Sequence, residues 1–105
     1  MRDDTILVVD LEATCWENQT TPAGDAQSVH IMEIIEIGCA LATRQGELLD
    51  ARSFLVRPTR HPILSDFCTE LTGITQSMVE GAPALSEAIE AMNAWLGDLP
   101  NELIW

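Results

Sequence analysis

The 105-residue chain contains no lysine, only five arginines, and no apolar run that approaches the ~20 residues of a membrane-spanning helix. Its 17 acidic residues bring the net charge to −12, which repels polyanions and argues against a plain phosphate-binding surface. Most of these acids are expected on a solvated surface, although clustered carboxylates also bind divalent cations. The polar, acidic N-terminus is unlike a secretory signal. We expect no membrane association and a cytoplasmic location.

Cysteine is also scarce. Cys15, Cys39 and Cys68 are widely spaced, odd in number and without a C-x-x-C pair. This pattern argues against a disulfide framework or a zinc site. We expect free thiols, buried or half-buried, in a reducing compartment.

What the chain does contain is typical of one small globular domain. The hydrophobic fraction of 47% and the charged fraction of 21% exclude a disordered chain. The length allows a single domain over residues 1–105 and a core of modest size.

The first half of the sequence predicts three strands. The apolar, β-branched run Thr5–Asp10 predicts a strand covered on both faces, in the middle of a sheet. The polar segment Glu17–Ser28 predicts an exposed loop. Two further strands are predicted over Ile31–Thr43 and Leu48–Val56, joined by a hairpin turn at Arg44–Glu47. The short links favour an antiparallel three-strand meander.

The second half changes to helical spacing. Ser65 is predicted to cap a short helix that runs to Leu71 and is ended by Gly73. A longer helix is predicted from Pro83 to Gly97. The apolar positions that recur along it, and that we expect to pack on the core, are Leu85, Ile89, Met92 and Leu96.

The last residues, Glu102–Trp105, predict the beginning of a fourth strand. A helical crossover would let this strand lie parallel to the first. The resulting order β-β-β-α-α-β predicts an α/β fold with a mixed sheet.

Two carboxylates, Asp10 and Glu12, stand at the carboxyl end of the first predicted strand. Residues two apart on a strand share a face, so these like charges lie side by side and favour a cation between them. Mg²⁺ or Mn²⁺ suits such an all-oxygen site, and α/β sheets bind ligands at this end of their strands. The alternative is two solvated acids where a strand runs into a loop.

Four segments extend this pattern: DLEATCWE (10–17), HIMEIIEIG (30–38), FLVRP (54–58) and LSDFCTELTGIT (64–75). In order and spacing they resemble the DEDDh 3′→5′ exonucleases, the DnaQ-like group within the ribonuclease H-like fold. The likeness is strongest to the Eri/KapD-type branch, which acts on RNA 3′ ends. It spans roughly Ile6 to Pro83 and implies a ribonuclease H-like mixed sheet.

The resemblance implies roles for individual residues. Asp10 and Glu12 match the first two catalytic metal ligands, in a complete site that holds two Mg²⁺ or Mn²⁺ ions. Ala13 and Thr14 match the backbone that touches the terminal sugar. The wall that packs on the last base matches Leu71, Thr72, Gly73 and Ile74. For Leu71 and Ile74 the alternative is ordinary core, and Gly73 has the alternative of a plain helix stop.

Other polar and aromatic residues keep two readings. Glu33 and Glu36 match an E-I-I-E string of this branch, but residues three apart face opposite ways on a strand. We expect neither to be a ligand, although one of them has the alternative of supporting the metal site. Trp16 either stacks on a base or packs over the sheet edge. The arginines that either steer a nucleic-acid strand or belong to the plain surface are Arg44, Arg52, Arg57 and Arg60.

The implied chemistry is two-metal hydrolysis, with a histidine as general base. Only two of the family's four acids match here, and His30 and His61 do not stand where the base is expected. The resemblance therefore implies the amino-terminal part of one exonuclease domain, truncated where the fourth strand starts, and a chain that is inactive alone. The first strand's open edge and apolar face would then allow a homodimer.

Two rival functions remain at the level of sequence. One is a catalytically inactive ribonuclease H-like module that binds protein or nucleic acid. The other is an acidic α/β domain without any nucleotide function. Between RNA and single-stranded DNA 3′ ends, the sequence does not choose.

Overall fold

A computed structural model describes residues 5–97 of the chain. Its elements are three strands, β1 (Thr5–Ala13), β2 (Ile34–Thr43) and β3 (Leu48–Leu55), followed by three helices, α1 (Asp66–Thr72), α2 (Gln76–Glu80) and α3 (Leu85–Gly97). One turn of 3₁₀ helix, Glu17–Gln19, lies in the loop between β1 and β2. The fourth strand predicted at 102–105 lies outside the described residues.

The three strands form one sheet in the order β1-β2-β3, with both pairs antiparallel. The predicted meander is therefore confirmed, although β1 extends three residues beyond Asp10 and β2 begins at Ile34. The hairpin between β2 and β3 is closed by the backbone of Thr43, which bonds to both Gly46 and Glu47. Gly46 adopts a φ of +92°, a conformation that glycine reaches without steric cost.

Within the part of the chain that the structure describes, strand β1 is not covered on both faces, which contradicts this part of the prediction. Within residues 5–97 it is an edge strand, and Ile6, Val8, Val9 and Leu11 are 44 to 52% exposed. Of the strands in the described sheet, β2 alone flanks it, so side chains on β1 have a neighbouring strand on one side only. The exposure agrees with the expectation of an open edge and an open apolar face in this chain.

The larger core cluster lies between the sheet and α3. Ile37, Cys39 and Leu41 of β2 are buried there against a helix stripe made of Ala88, Met92, Trp95 and Leu96. The predicted stripe was partly wrong, because Leu85 and Ile89 are 39% and 38% exposed. The helix is rotated so that small Ala88 approaches the sheet. Trp95 packs against Phe54 with tilted rings, 6.0 Å between centroids, and donates its Nε1–H to Asp50 at 3.3 Å.

A second core cluster ties the end of β1 to the helices. It comprises Cys15, Ile35, Leu64, Cys68, Ile74 and Val79. Ser65 caps α1 by accepting a hydrogen bond from the backbone N–H of Cys68, and Gly73 ends that helix with a φ of +78°, both as predicted. Helix α2, capped by Thr75, was not predicted.

Candidate metal and nucleotide site

Asp10 and Glu12 lie on one face of the sheet, the face turned away from α3. Their Cα partners on β2 are Gly38 and Glu36, and paired residues of neighbouring strands point to the same side. The intervening residues of β2, Ile37 and Cys39, point into the core beneath α3. Asp10 is exposed and Glu12 is half-buried, so both carboxylates are within reach of solvent.

The surface beside these carboxylates is built from small side chains. A shallow pocket of about 490 Å³ is lined by Val8, Asp10, Glu36, Gly38, Cys39, Ala40, Ala51, Arg52 and Ser53. Gly38 lies so close to β1 that a Cβ atom there would be 3.4 Å from the backbone oxygen of Asp10. The absence of side-chain bulk leaves the space over Asp10 open.

A third carboxylate joins this face. Glu36 lies directly across from Glu12, and its Oε2 accepts a hydrogen bond of 2.8 Å from the Ser53 hydroxyl. The sequence offered Glu33 or Glu36 as a support of the metal site, without a role as ligand, and the alignment of β1 with β2 shows that Glu36 is the one on this face. The bond joins the Glu36 side chain to Ser53 of β3, on the side of β2 that is away from β1.

The donor set fits a hard divalent cation. Mg²⁺ is commonly bound through one or two carboxylates, with water and substrate phosphate oxygens completing its coordination. Across residues 5–97, no group of three or more His, Cys, Asp or Glu side chains is arranged to hold a metal ion. Asp10 and Glu12 therefore suit an ion whose remaining ligands come from water or phosphate.

Glu33 has a different environment from Glu36. Its Oε1 accepts the backbone N–H groups of Arg60 and His61 at 2.8 and 2.7 Å, and its Oε2 accepts the backbone N–H and the hydroxyl of Thr59 at 2.9 and 3.3 Å. Partial burial opposes ionisation, but these backbone donors outweigh it and hold the pKa of Glu33 below its usual value. This carboxylate binds the protein's own loop.

Ala13 and Thr14 are joined to neighbouring elements. The N–H of buried Thr14 donates to the carbonyl of Glu33 at 2.8 Å, and its Oγ1 accepts the N–H of Glu33 at 2.9 Å. The carbonyl of Ala13 accepts a long bond of 3.7 Å from the Cys68 thiol. Contact of these two residues with a nucleotide sugar stays a prediction.

The L-T-G-I segment divides into exposed and buried residues. Leu71 is 67% exposed, whereas Ile74 is 2% exposed and belongs to the core cluster with Cys68. The hydroxyl of Thr72 donates to the carbonyl of Cys68 at 2.8 Å and accepts the N–H of Ile74 at 3.1 Å. Leu71 therefore presents an apolar surface to solvent, and Ile74 takes the core alternative; contact of Leu71 and Thr72 with a terminal base stays a prediction.

A groove opens beside Leu71, with a volume of about 550 Å³; we call it the Leu71 groove. Its lining comprises Cys15, Trp16, Asn18, Gln19, Gln27, Phe67 and Leu71. Trp16 is buried in its wall and packs edge-on against His61, with ring centroids 4.8 Å apart. Phe67 lies one turn before Leu71 on α1, a spacing that the sequence displayed but that we did not connect with a site.

Two of the candidate steering arginines contact other parts of the protein. The guanidinium of Arg52 is 5.6 Å from the ring centroid of Trp95, and that of Arg60 donates to the carbonyl of His30 at 3.2 Å. Arg52 and Arg60, two of the four candidate steering residues, thus have partners within the protein. Arg57 is exposed.

Comparison with known proteins identifies the family. A family model described as exonuclease, RNase_T, matches residues 7–100. The chain belongs to this exonuclease family. The predicted likeness to Eri-type DEDDh exonucleases, and with it the ribonuclease H-like fold, is confirmed.

Individual relatives agree. The chain is 41% identical over 91 residues to human ERI1 exoribonuclease 3, covering 86% of this chain and 24% of that protein. It is 38% identical over 92 residues to the 3′-5′ exonuclease Snipper of Drosophila melanogaster, covering 87% and 31%. The chain thus spans about a quarter to a third of the length of these curated relatives.

Solved structures agree as well. The nuclease domain of 3′hExo, a DEDDh family member bound to rAMP, superposes with a TM-score of 0.75 at 35% identity, covering 93% of this chain and 47% of that one. Cell-death related nuclease 4 superposes with a TM-score of 0.77 at 22% identity, which supports the fold alone.

Proposed function

We propose that Asp10 and Glu12 are the first two metal ligands of a metal-dependent 3′→5′ exonuclease, which hydrolyses phosphodiester bonds at nucleic-acid 3′ ends. The observation that carries this proposal is the alignment of β1 with β2. It places Gly38 opposite Asp10 and Glu36 opposite Glu12, and both carboxylates of β1 lie on a face that solvent reaches. RNA is the first substrate to test, since similar proteins are named exoribonucleases; single-stranded DNA is the second.

The chain's residues contribute binding and orientation. Asp10 and Glu12 would hold Mg²⁺ or Mn²⁺; such ions, when bound, lower the pKa of a water and stabilise the leaving oxygen. The cation also offsets the charge of −12 that would otherwise repel a polyanion. Leu71, with Phe67 beside it, offers an apolar surface for the terminal base.

A Mn²⁺ titration of the chain, followed by paramagnetic broadening of NMR signals, tests the metal site. We expect broadening centred on Asp10 and Glu12 in the wild type, and its loss in Asp10→Asn/Glu12→Gln. The matched control is Glu87→Gln/Glu90→Gln, which removes the same two charges from exposed positions on α3. Equal broadening at the end of β1 in both double variants would contradict the assignment.

A requirement for a divalent cation distinguishes the proposed exonuclease from a catalytically inactive binding module. The chain alone is proposed to bind without cleaving. Binding of a fluorescent oligoribonucleotide with a 3′-hydroxyl is expected to require Mn²⁺ and to weaken with a 3′-phosphate. Binding that is indifferent to both would favour the inactive module, and no binding at all would favour a domain without nucleotide function.

Location and assembly are further proposals. The three free cysteines support a reducing, cytoplasmic compartment. The exposed apolar residues of β1 support a homodimer formed through this edge. Sedimentation at increasing concentration tests the dimer, and a monomer throughout would contradict it. No helix within residues 5–97 has the length and apolar character needed to cross a membrane.

A further inference from the structure

Glu33 binds the middle of a loop whose two ends are held elsewhere, by the N–H of Arg57 donating to the carbonyl of Pro83 and by the side-chain amide of Gln76 donating to the carbonyl of Pro62. Residues 57–63, between β3 and α1, form no helix or strand and contain two prolines, which donate no backbone hydrogen bonds. Three successive backbone N–H groups, those of Thr59, Arg60 and His61, converge on the Glu33 carboxylate at 2.7 to 2.9 Å. Hydrogen bonds to a charged acceptor are shorter and stronger than neutral ones, so this carboxylate holds the loop in one conformation.

The loop in turn contacts the wall of the Leu71 groove. The ring of His61, whose N–H is bound by Glu33, meets the ring of Trp16 at 4.8 Å and an angle of 72°. Trp16 is buried and lines the groove. Its backbone N–H donates at 2.8 Å to the side-chain oxygen of Gln27, another lining residue. A direct series of contacts therefore runs from Glu33 through His61 to Trp16.

The backbone of Glu33 is fixed to the end of β1. Both hydrogen bonds between Glu33 and Thr14 join main-chain atoms of Glu33, at 2.8 and 2.9 Å. Thr14 lies two residues beyond Glu12, about 7 Å along an extended chain. One residue thus links the strand that carries the proposed metal ligands with the loop that supports the groove.

We propose that Glu33 is a positioning residue, which fixes the Trp16 wall of the Leu71 groove relative to the end of β1 and so sets the affinity of the groove for a nucleotide base. The nucleotide part rests on the proposed function. Glu33 touches neither metal nor substrate in this assignment. Its carboxylate acts by holding residues 59–61, and through His61 it holds Trp16.

The test compares Glu33→Gln with Glu47→Gln, which loses the same charge from an exposed hairpin position. Glutamine keeps the size but turns an NH₂ group toward backbone donors. In Glu33→Gln we expect amide exchange at residues 59–61 to accelerate about tenfold or more. The indole N–H signal of Trp16 should shift, while that of Trp95, in the other core cluster, stays in place. Adenosine monophosphate, titrated against the Leu71 methyl signals, should bind about threefold more weakly or worse.

A folded Glu33→Gln variant with an unchanged Trp16 signal would overturn the proposal. If that variant fails to fold, His61→Ala serves instead, since it keeps every backbone bond to Glu33 and removes only the ring contact. It should shift Trp16 and weaken nucleotide binding without faster exchange at residues 59 and 60. No effect on Trp16 would overturn the route through His61. If the wild type binds no adenosine monophosphate, the proposed nucleotide groove fails, and the Trp16 signal still decides the positioning role.

Discussion

Ser65 joins α1 to the end of β1, and its replacement by alanine tests how firmly the candidate site is held together. Its Oγ accepts the backbone N–H of Cys68 at 3.0 Å and donates to the carbonyl of Cys15 at 2.7 Å. The first bond caps the helix that carries Leu71. The second fixes that helix to the segment three residues beyond Glu12.

The expected loss has two parts. Removing an N-cap hydroxyl costs about 1 kcal/mol. The carbonyl of buried Cys15 then loses its hydrogen-bond donor, which costs about 1 to 3 kcal/mol more. Ser65→Ala should therefore lower the free energy of unfolding by about 2 to 4 kcal/mol, a large share of the roughly 5 to 15 kcal/mol typical of whole domains.

Thr75→Ala is the matched control. Thr75 caps α2 through a bond of 3.3 Å to the N–H of Met78, at an exposed position and without any bond to a strand. Its loss should cost only about 0.5 to 1 kcal/mol. Urea titrations measure the free energy of unfolding of both variants, and the comparison holds when their m-values are equal. Trimethylamine N-oxide added to all samples keeps the less stable variant folded before urea is added. If Ser65→Ala loses no more free energy of unfolding than Thr75→Ala, the hydrogen bond from Ser65 to Cys15 does not stabilise the contact between α1 and the end of β1, and the reasoning is refuted.

Three further predictions concern single groups. Folding lowers the pKa of Glu33, so the contribution of its carboxylate to stability is complete above the unfolded pKa of about 4.3 and disappears as the pH falls through the folded value. The difference in urea midpoint between wild type and Glu33→Gln should therefore shrink below about pH 4. A difference that stays constant with pH would contradict this. Gly38→Val should fill the space opposite Asp10 and weaken the broadening of NMR signals by Mn²⁺, whereas its control Ala40→Val, opposite Val8, should leave the broadening unchanged. An equal loss of broadening in both variants would show that the ion does not use the space above Asp10. Burial, reinforced by a hydrogen bond that the Cys15 thiol donates to Cys68, raises the pKa of Cys15 to about 11, so about one thiol in a thousand is ionised at pH 8. Alkylation of Cys15 in the native chain, followed by mass spectrometry, should therefore be slow and accelerate about tenfold per pH unit. Rapid labelling at pH 8 would be inconsistent with this environment.

Local signals explain which elements were predictable. The β-branched run in β1, the glycine turn after β2, the cap at Ser65 and the stop at Gly73 each act within a few residues, and all four appear in the structure. Helix α2 was missed because its five residues are too few for an apolar period. The face of α3 was misjudged because helical spacing allowed more than one apolar stripe, and packing of Trp95 against Phe54 selected among them.

The candidate site shows the same division. That Asp10 and Glu12 share a face follows from the alternation of a strand and was readable in advance. That Glu36 faces Glu12, and that Gly38 leaves room beside Asp10, depends on the pairing of two strands separated by a long loop. Phe67 and Gln27 line the Leu71 groove through contacts that no local pattern announces.

The meander, the helix ends and the adjacent pair of carboxylates could be predicted from the sequence. They depend on strand alternation and helix capping, which involve residues that are neighbours along the chain. Family membership was legible in the same way, from four short motifs. The third carboxylate, the exposure of Leu71 with the burial of Ile74, and the hold of Glu33 on residues 59–61 emerged on folding. Each of these depends on groups distant in sequence meeting at hydrogen-bonding or packing distance, and the relative placement of sheet and helices sets those distances.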